Sequence, residues 1–266
     1  MRIIVCVKQV ADPEAPAGSF TPDPEGRRVV VRRGVSQVLS TYDENAIEAA
    51  LRIKDASGAR VTLLAVGPAQ WQDFLQEAMG TGADEAFLLS DPSFQGLDSF
   101  AIAYVLAQGV RKLGEYDLVL FGRQAADTDA GITGPALAEH LSVPCITIAR
   151  TIEVSGNTAR VERLLEEGYD VLQASLPAVM TVTSEALKLR YATMDTIMAA
   201  TEREVPVWNA QDIGASAEEV ALAGSHVRLV RLEAPPAGGQ CQIVEGKDGA
   251  EKAASLAALL RRQKLL

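Results

Sequence analysis

Short aliphatic runs alternate with segments of helical period through the first half of the chain. Arg2–Val7, Val61–Val66, Glu85–Leu89 and Leu118–Phe121 are near-continuous apolar runs, as expected of parallel strands buried on both faces. Between them the period lengthens. In Thr41–Lys54 (TYDENAIEAALRIK) Ala46, Ile47, Ala50 and Leu51 form a stripe opposite Glu and Lys, and Thr41 with Glu44 has capping-box spacing. Helices are also predicted over about Gln70–Met79, over Phe100–Leu113 and from near Ile132, followed by a fifth strand at Pro144–Ile148. Strands alternating with helices in this way predict right-handed βαβ units, hence a doubly wound, mostly parallel α/β sheet.

The pattern breaks in two places. Ala11–Arg27 is rich in Pro, Gly and acidic residues and reads as a long surface loop, with a short strand at Arg28–Arg32. After Arg150, Thr151–Val154, Ala159–Leu165 and Tyr169–Ala174 are joined by turns too short for crossovers, which predicts an antiparallel extension. Ala178–Thr183 is a last buried strand. From Glu185 to Gly246 little regular periodicity remains, with a Pro/Gly knot at Ala234–Gln240; Ala250–Leu266 is a helix with basic residues near its end. A long irregular stretch is seldom free-standing. The expected division is therefore an α/β nucleotide-binding domain, 1–184, and a C-terminal arm lying on another subunit, 185–266.

Composition narrows the function classes. Twenty-five basic against thirty-five acidic residues leave a net charge of −10, which argues against nucleic acid as the main partner. Cys6, Cys145 and Cys241 lie far apart, the first two in apolar runs that read as core strands; this fits a reducing, cytoplasmic setting better than a disulfide framework. His140 and His226 belong to no cluster of metal-ligand spacing. No run reaches the roughly 20 apolar residues of a membrane span, and the N-terminal residues lack the pattern of a secretion signal.

Candidate chemistry gathers in Tyr116–Leu141, where a strand delivers a small-residue loop onto a helix start. Free backbone N–H groups and the positive end of a helix dipole suit a phosphate there. Gly122, Ala125, Ala126 and Gly131 let backbone approach a ligand, and Thr133 with the helix N–H groups can bind phosphate. Asp127 and Asp129 would accept bonds from ribose hydroxyls, cap the helix or serve solubility; Arg123 would neutralise phosphate or pair with an acid at the surface. The loops after the first, second and fourth strands all lie where open α/β sheets bind ligands. Neither G-x-G-x-x-G, a P-loop nor G-x-S-x-G is present. Electron or group transfer here would need a cofactor. In Leu189–Ala200, Tyr191 and Met194 suit a partner surface, whereas Ile197 and Met198 are expected to pack on the domain.

Taken together, IIVCVKQV, YDENAIEAALRIKD, AVGPAQ, MGTGADEAFLLSD, GRQAADTDAGITGP, LPAVMTV and RYATMDTIMAA resemble the β subunit of electron-transfer flavoproteins. These segments run in order from residue 2 to about 213. VPVWNAQDIG at Val205–Gly214 is similar to the branch with bifurcating and nitrogen-fixation-associated members. The resemblance implies a Rossmann-like, adenine-nucleotide-binding fold and a heterodimer with an α subunit. In it an FAD held mainly by α carries electrons from a dehydrogenase to a quinone-linked or other acceptor, with no side-chain catalysis. The β subunit would hold AMP or, in the bifurcating branch, a second FAD.

Carried onto this chain, the nucleotide site is Cys6, Ser40, Thr41, Tyr42, Asp43, Val66 and the loop Gly122–Thr133, including Arg123, Gln124, Ala125, Asp127, Asp129 and Ile132. Tyr42 would lie toward a flavin, and the segment at Tyr191 and Met194 would meet the dehydrogenase. The chain departs from the family at Ser40-Thr41, usually Asn-Pro, at Ile132, usually a glutamine whose amide contacts phosphate, and at Leu187-Lys188-Leu189, usually Asn-Glu-Pro. Two rival readings are a stand-alone adenine-nucleotide sensor of the universal-stress type, which needs no arm, and an ATP-cleaving synthetase-like enzyme, which needs a Ser/Gly-rich loop where Lys8-Gln9-Val10-Ala11 stand.

Overall fold

A computed structural model describes residues 1–25, 28–184, 187–222, 226–227, 229–234 and 241–266. The chain runs β1 (Arg2–Cys6), β2 (Gln9–Ala11), β3 (Phe20–Pro22), β4 (Val29–Val31), β5 (Gln37–Leu39), α1 (Thr41–Ser57), β6 (Arg60–Val66), α2 (Trp71–Met79) and β7 (Glu85–Leu89). It continues with α3 (Ser99–Leu113), β8 (Leu118–Gly122), α4 (Thr133–Leu141), β9 (Cys145–Ser155), β10 (Thr158–Leu164), β11 (Tyr169–Ser175), β12 (Ala178–Val182), α5 (Met194–Thr201), β13 (Val207–Trp208), α6 (Ala217–Leu222) and α7 (Gly249–Arg262).

Nine strands form the central sheet in the order β11-β10-β9-β12-β8-β1-β6-β7-β13. From β9 to β13 neighbours are parallel, and β9-β10-β11 is the antiparallel meander. The period-2 alternation of β1 sends Ile3, Val5 and Val7 into one core with α1 and α2, and Ile4 and Cys6 into the other with α3 and α4. That two-sided burial is why the strands read as unbroken apolar runs. From central β1 the chain winds outward through β6 and β7, then returns to place β8 on the other flank. The carboxyl ends of β1 and β8 therefore border a topological switch point, where such sheets open a crevice.

Several sequence expectations need correction. Ser40, not Thr41, is the N-cap of α1; it makes no side-chain cap bond, so the Thr41–Glu44 capping box is not formed. Pro144–Ile148 and Thr151–Val154 are parts of one eleven-residue strand. It bends at Ile148, which takes φ 58° and donates its N–H to Thr181 Oγ1 at 2.9 Å. The register slips there, so the strand begins parallel to β12 and ends in the meander. Between β1 and α1 the chain forms two small antiparallel ladders, β2 with β5 and β3 with β4; only β3 lies wholly within the expected Ala11–Arg27 loop, and β4 is the short strand expected at Arg28–Arg32. The arm is more regular than its sequence: α5, β13 and α6 lie within it, and β13 adds a parallel edge strand to β7. The Pro/Gly-rich run 235–240 lies outside the described residues. Cys145 is exposed, whereas Cys6 is buried.

Candidate functional site

A cleft of about 560 Å³ opens over the carboxyl ends of β1, β6 and β8. Its floor is Cys6, Val66 and Phe121. One wall is the loop after β8 with the start of α4, and the other is the start of α3 with Leu97, Asp98 and Ile102. A larger hollow of about 780 Å³ lies between α1 and β9, lined by Ile53, Ile152, Val154, Arg52 and Arg150 among others, and contains none of the predicted nucleotide-site residues.

Asp43 joins the two strand ends of the crevice. Its carboxylate accepts from Lys8 N at 2.9 Å, just past β1, and from Gly122 N at 3.2 Å, at the end of β8. The first turn of α1 is thereby pinned across the switch point. A Cβ on Gly122 would come within 2.5 Å of the Tyr42 carbonyl carbon and 2.7 Å of Asp43 Oδ1, so glycine is required for the approach. Burial pushes the Asp43 carboxyl up to about 7, against the lowering effect of the two backbone donors and the Lys8 charge. The buried Ser40 hydroxyl adds a weaker attraction to the same group and makes no hydrogen bond of ordinary geometry among the described residues. Burial, and then the Asp43 charge, push the Cys6 thiol up, so it stays neutral.

The start of α4 leaves backbone donors open toward the cleft. Its N-cap is Ile132, with no side-chain cap bond, and Ile132 is 40% exposed on the cleft wall. Pro135 lacks an N–H, and the Ala136 N–H is already bonded to Ile132 O. The first turn therefore offers the N–H groups of Thr133 and Gly134, together with the helix dipole. Gly131 lets the loop close on itself, since a Cβ there would lie 3.2 Å from Arg123 O.

The acidic loop is tied together rather than turned inward. Asp127 pairs with Lys8 Nζ at 2.6 Å across the mouth of the cleft. Asp129, at φ 53°, accepts from Gln124 Nε2 at 2.8 Å. Neither caps α4, which corrects that part of the sequence reading. Gln124 also donates to Tyr42 Oη at 3.2 Å and accepts from Arg123 Nε at 3.0 Å, while the Arg123 guanidinium lies 5.6 Å from the Tyr42 ring centroid. Tyr42, Arg123, Gln124 and Asp129 thus form one cluster.

Of the predicted nucleotide residues, Cys6, Asp43, Val66, Gly122, Arg123, Gln124, Ala125, Ile132 and Thr133 line the cleft. Ser40, Thr41, Tyr42, Asp127 and Asp129 stand behind or beside it. Lys8 on the wall lies in the loop after the first strand, Val7–Asp12, one of the loops expected to bind a ligand; Asp98 and Thr181, also on the wall, were missed by sequence reasoning. His140 packs edge-on to Tyr104 at 5.8 Å, away from the cleft.

The segment expected to meet a partner opens α5. Thr193 caps α5 in a reciprocal box with Thr196. Tyr191 is 84% and Met194 71% exposed. Met198 is 59% exposed, which corrects the expectation that it packs on the domain, whereas Ile197, partly covered, lies with its Cγ1 beside Gly80 at the end of α2.

The sheet is doubly wound, with a cleft of small-molecule size at its switch point and the start of a helix on the cleft wall. The chain matches the electron transfer flavoprotein domain over residues 27–213. It is 38% identical over 267 residues to the caffeyl-CoA reductase-Etf complex subunit CarD of Acetobacterium woodii, spanning 100% of both chains. It is 36% identical to the electron transfer flavoprotein subunit beta of Clostridium acetobutylicum, covering 99% of each, and 35% identical to protein FixA of Azorhizobium caulinodans, covering 99% of this chain and 95% of the relative. The chain belongs to the electron transfer flavoprotein family, aligning end to end with its β subunits. The resemblance read from the sequence is borne out, and nothing in these relatives supports a stand-alone stress sensor.

Proposed function

We propose that this chain binds the adenosine-phosphate part of a nucleotide in the 560 Å³ cleft and works as one half of a heterodimer with an α subunit. Electrons from a dehydrogenase pass through FAD, held mainly by α, to a quinone-linked or other acceptor. The observation that carries the nucleotide reading is the uncapped α4 terminus, whose two available N–H groups and glycine-lined approach face a cleft of small-molecule size, within the roughly 300–1,000 Å³ common for such sites. Thr133 and Gly134 would hold a phosphate, and the apolar floor at Val66 and Phe121 suits a flat ring. When bound, a flavin supplies the one- and two-electron chemistry; the chain's own residues bind and orient it. Tyr42 and the exposed α5 face would look toward the α-held flavin and the dehydrogenase respectively.

Between AMP and a second FAD, the end-to-end match to the CarD chain, named for a caffeyl-CoA reductase-Etf complex, favours the second FAD and with it bifurcation. The relative's name also favours an acyl-CoA-linked enzyme as the partner. Co-expression with the α subunit and release of bound cofactor tests this. About two flavins per heterodimer are expected, whereas one flavin with one extractable AMP would refute the second-FAD reading, and an empty β cleft would refute the nucleotide reading itself.

A further inference from the structure

Helix α5 is fastened at both ends by side chains that take no part in the nucleotide cleft. At its C-terminal end Gln76 Nε2, on α2, lies 3.3 Å from Ala200 O, 3.3 Å from Thr201 O and 3.1 Å from Arg203 O. One amide shared among three carbonyls does the work of a C-cap, since it supplies donors where a helix end leaves acceptors open. Nearby, Gln72 Nε2 holds Val205 O at 2.8 Å, and Arg203 reaches back to Ala83 O at 2.9 Å.

The lead-in to α5 is held from α1. Asn45 Oδ1 accepts from Leu187 N at 3.2 Å. Glu48 accepts from Arg190 three times, from its backbone N at 3.2 Å, from Nε at 3.0 Å and from Nη2 at 3.1 Å; Asp55 takes Nη2 at 2.9 Å. Glu48 is 4% exposed. Burial would raise its pKa, but the bonds from Arg190 and Arg52 outweigh this and hold it below the usual carboxylate range. A buried carboxylate that takes three bonds from one arginine on a distant segment fixes where that segment lies.

An eight-residue helix would not persist by itself in water, yet the outward residues of α5 stay free of the body. We propose that Glu48 and Gln76 are positioning residues that hold α5 preformed, so that a docking enzyme meets an ordered apolar face and does not have to order it on contact. This rests on the reading that α5 faces the dehydrogenase. Preorganisation acts on affinity, because ordering a flexible segment is subtracted from binding.

The experiment uses the co-expressed heterodimer and, as electron donor, the dehydrogenase whose KM is raised by Met194→Ala. Gln76→Leu, which keeps the bulk and removes the donor, and Glu48→Ala should each raise the KM for that enzyme about ten-fold, equivalent to about 1.4 kcal/mol. The maximal rate and the bound-nucleotide content should not change. Gln76→Lys keeps a donor over the carbonyls and should stay within about two-fold. Amide exchange at Ile197–Thr201, measured without any dehydrogenase, should quicken in Gln76→Leu and Glu48→Ala but not in Gln76→Lys. Unchanged exchange in Gln76→Leu overturns the clamp, as does quickened exchange with an unchanged KM. If no donor responds to Met194→Ala, the docking reading fails, and the exchange measurement still decides whether the clamp exists.

Discussion

Asp43 commits its carboxylate to two backbone N–H groups, that of Gly122, 79 positions further along the chain, and that of Lys8, 35 positions back, in a wall that excludes most water. Because its folded pKa is raised, to about 7, above an unfolded value near 3.9, the folded chain holds a proton that the unfolded chain releases. Its contribution is therefore complete below about pH 4 and is lost as pH climbs through 7, at up to about 1.4 kcal/mol per pH unit. Asp43→Asn should remove that slope. Urea midpoints of the variant and parent should converge toward acid and diverge in the variant's favour between about pH 4 and 7; parallel curves would show that Asp43 does not titrate there. The residue itself was legible, as part of a recognisable helix start. Its clamp was not, and neither was the ion pair that joins Lys8 to Asp127, 119 positions away: sequence spacing says nothing about which loops a sheet brings together.

At the scale of elements, what the chain announced by period was found, and what it did by exception was not. Long apolar runs and the α1 stripe translated directly into strands and a helix because burial on two faces leaves a regular signature. The single strand β9 was read as two, since its bend depends on a β-branched residue, Ile148, at positive φ, a conformation held by Thr181 from a neighbouring strand. Likewise α5 starts on a Thr-x-x-Thr box instead of the more recognisable Ser/Thr-x-x-Glu. The same Thr181 limits α4. A Cβ on Gly134 would stand 2.8 Å from Thr181 Cγ2, and rotating that side chain away would break its bond to Ile148. Gly134→Ala should thus destabilise by about 1–3 kcal/mol, although alanine is the better helix former by about 1 kcal/mol. Chemical denaturation gives the sign directly, and a stabilised variant would mean that β12 yields more easily than this packing implies.

The sheet carries a core on each face, and among the described elements the last helix, α7, joins neither. None of the fourteen residues of α7 is buried, although the helix is capped by Asp248, whose side chain accepts from Glu251 N at 2.8 Å. On the proposed assignment the surface that α7 needs belongs to the α subunit. Limited trypsin treatment should therefore remove the segment around Arg261 and Arg262 rapidly from the isolated chain and slowly from the heterodimer. Equal rates, followed by mass spectrometry, would exclude α7 from the subunit interface.

A helix of this length in water without a partner is marginal, and that has a cellular consequence. If α7 seats on the α subunit, a copy made in excess of its partner would carry a frayed, protease-ready end that an assembled copy would hide. Parity between the two gene products would then be kept by selective destruction of the surplus, with no need for matched rates of synthesis.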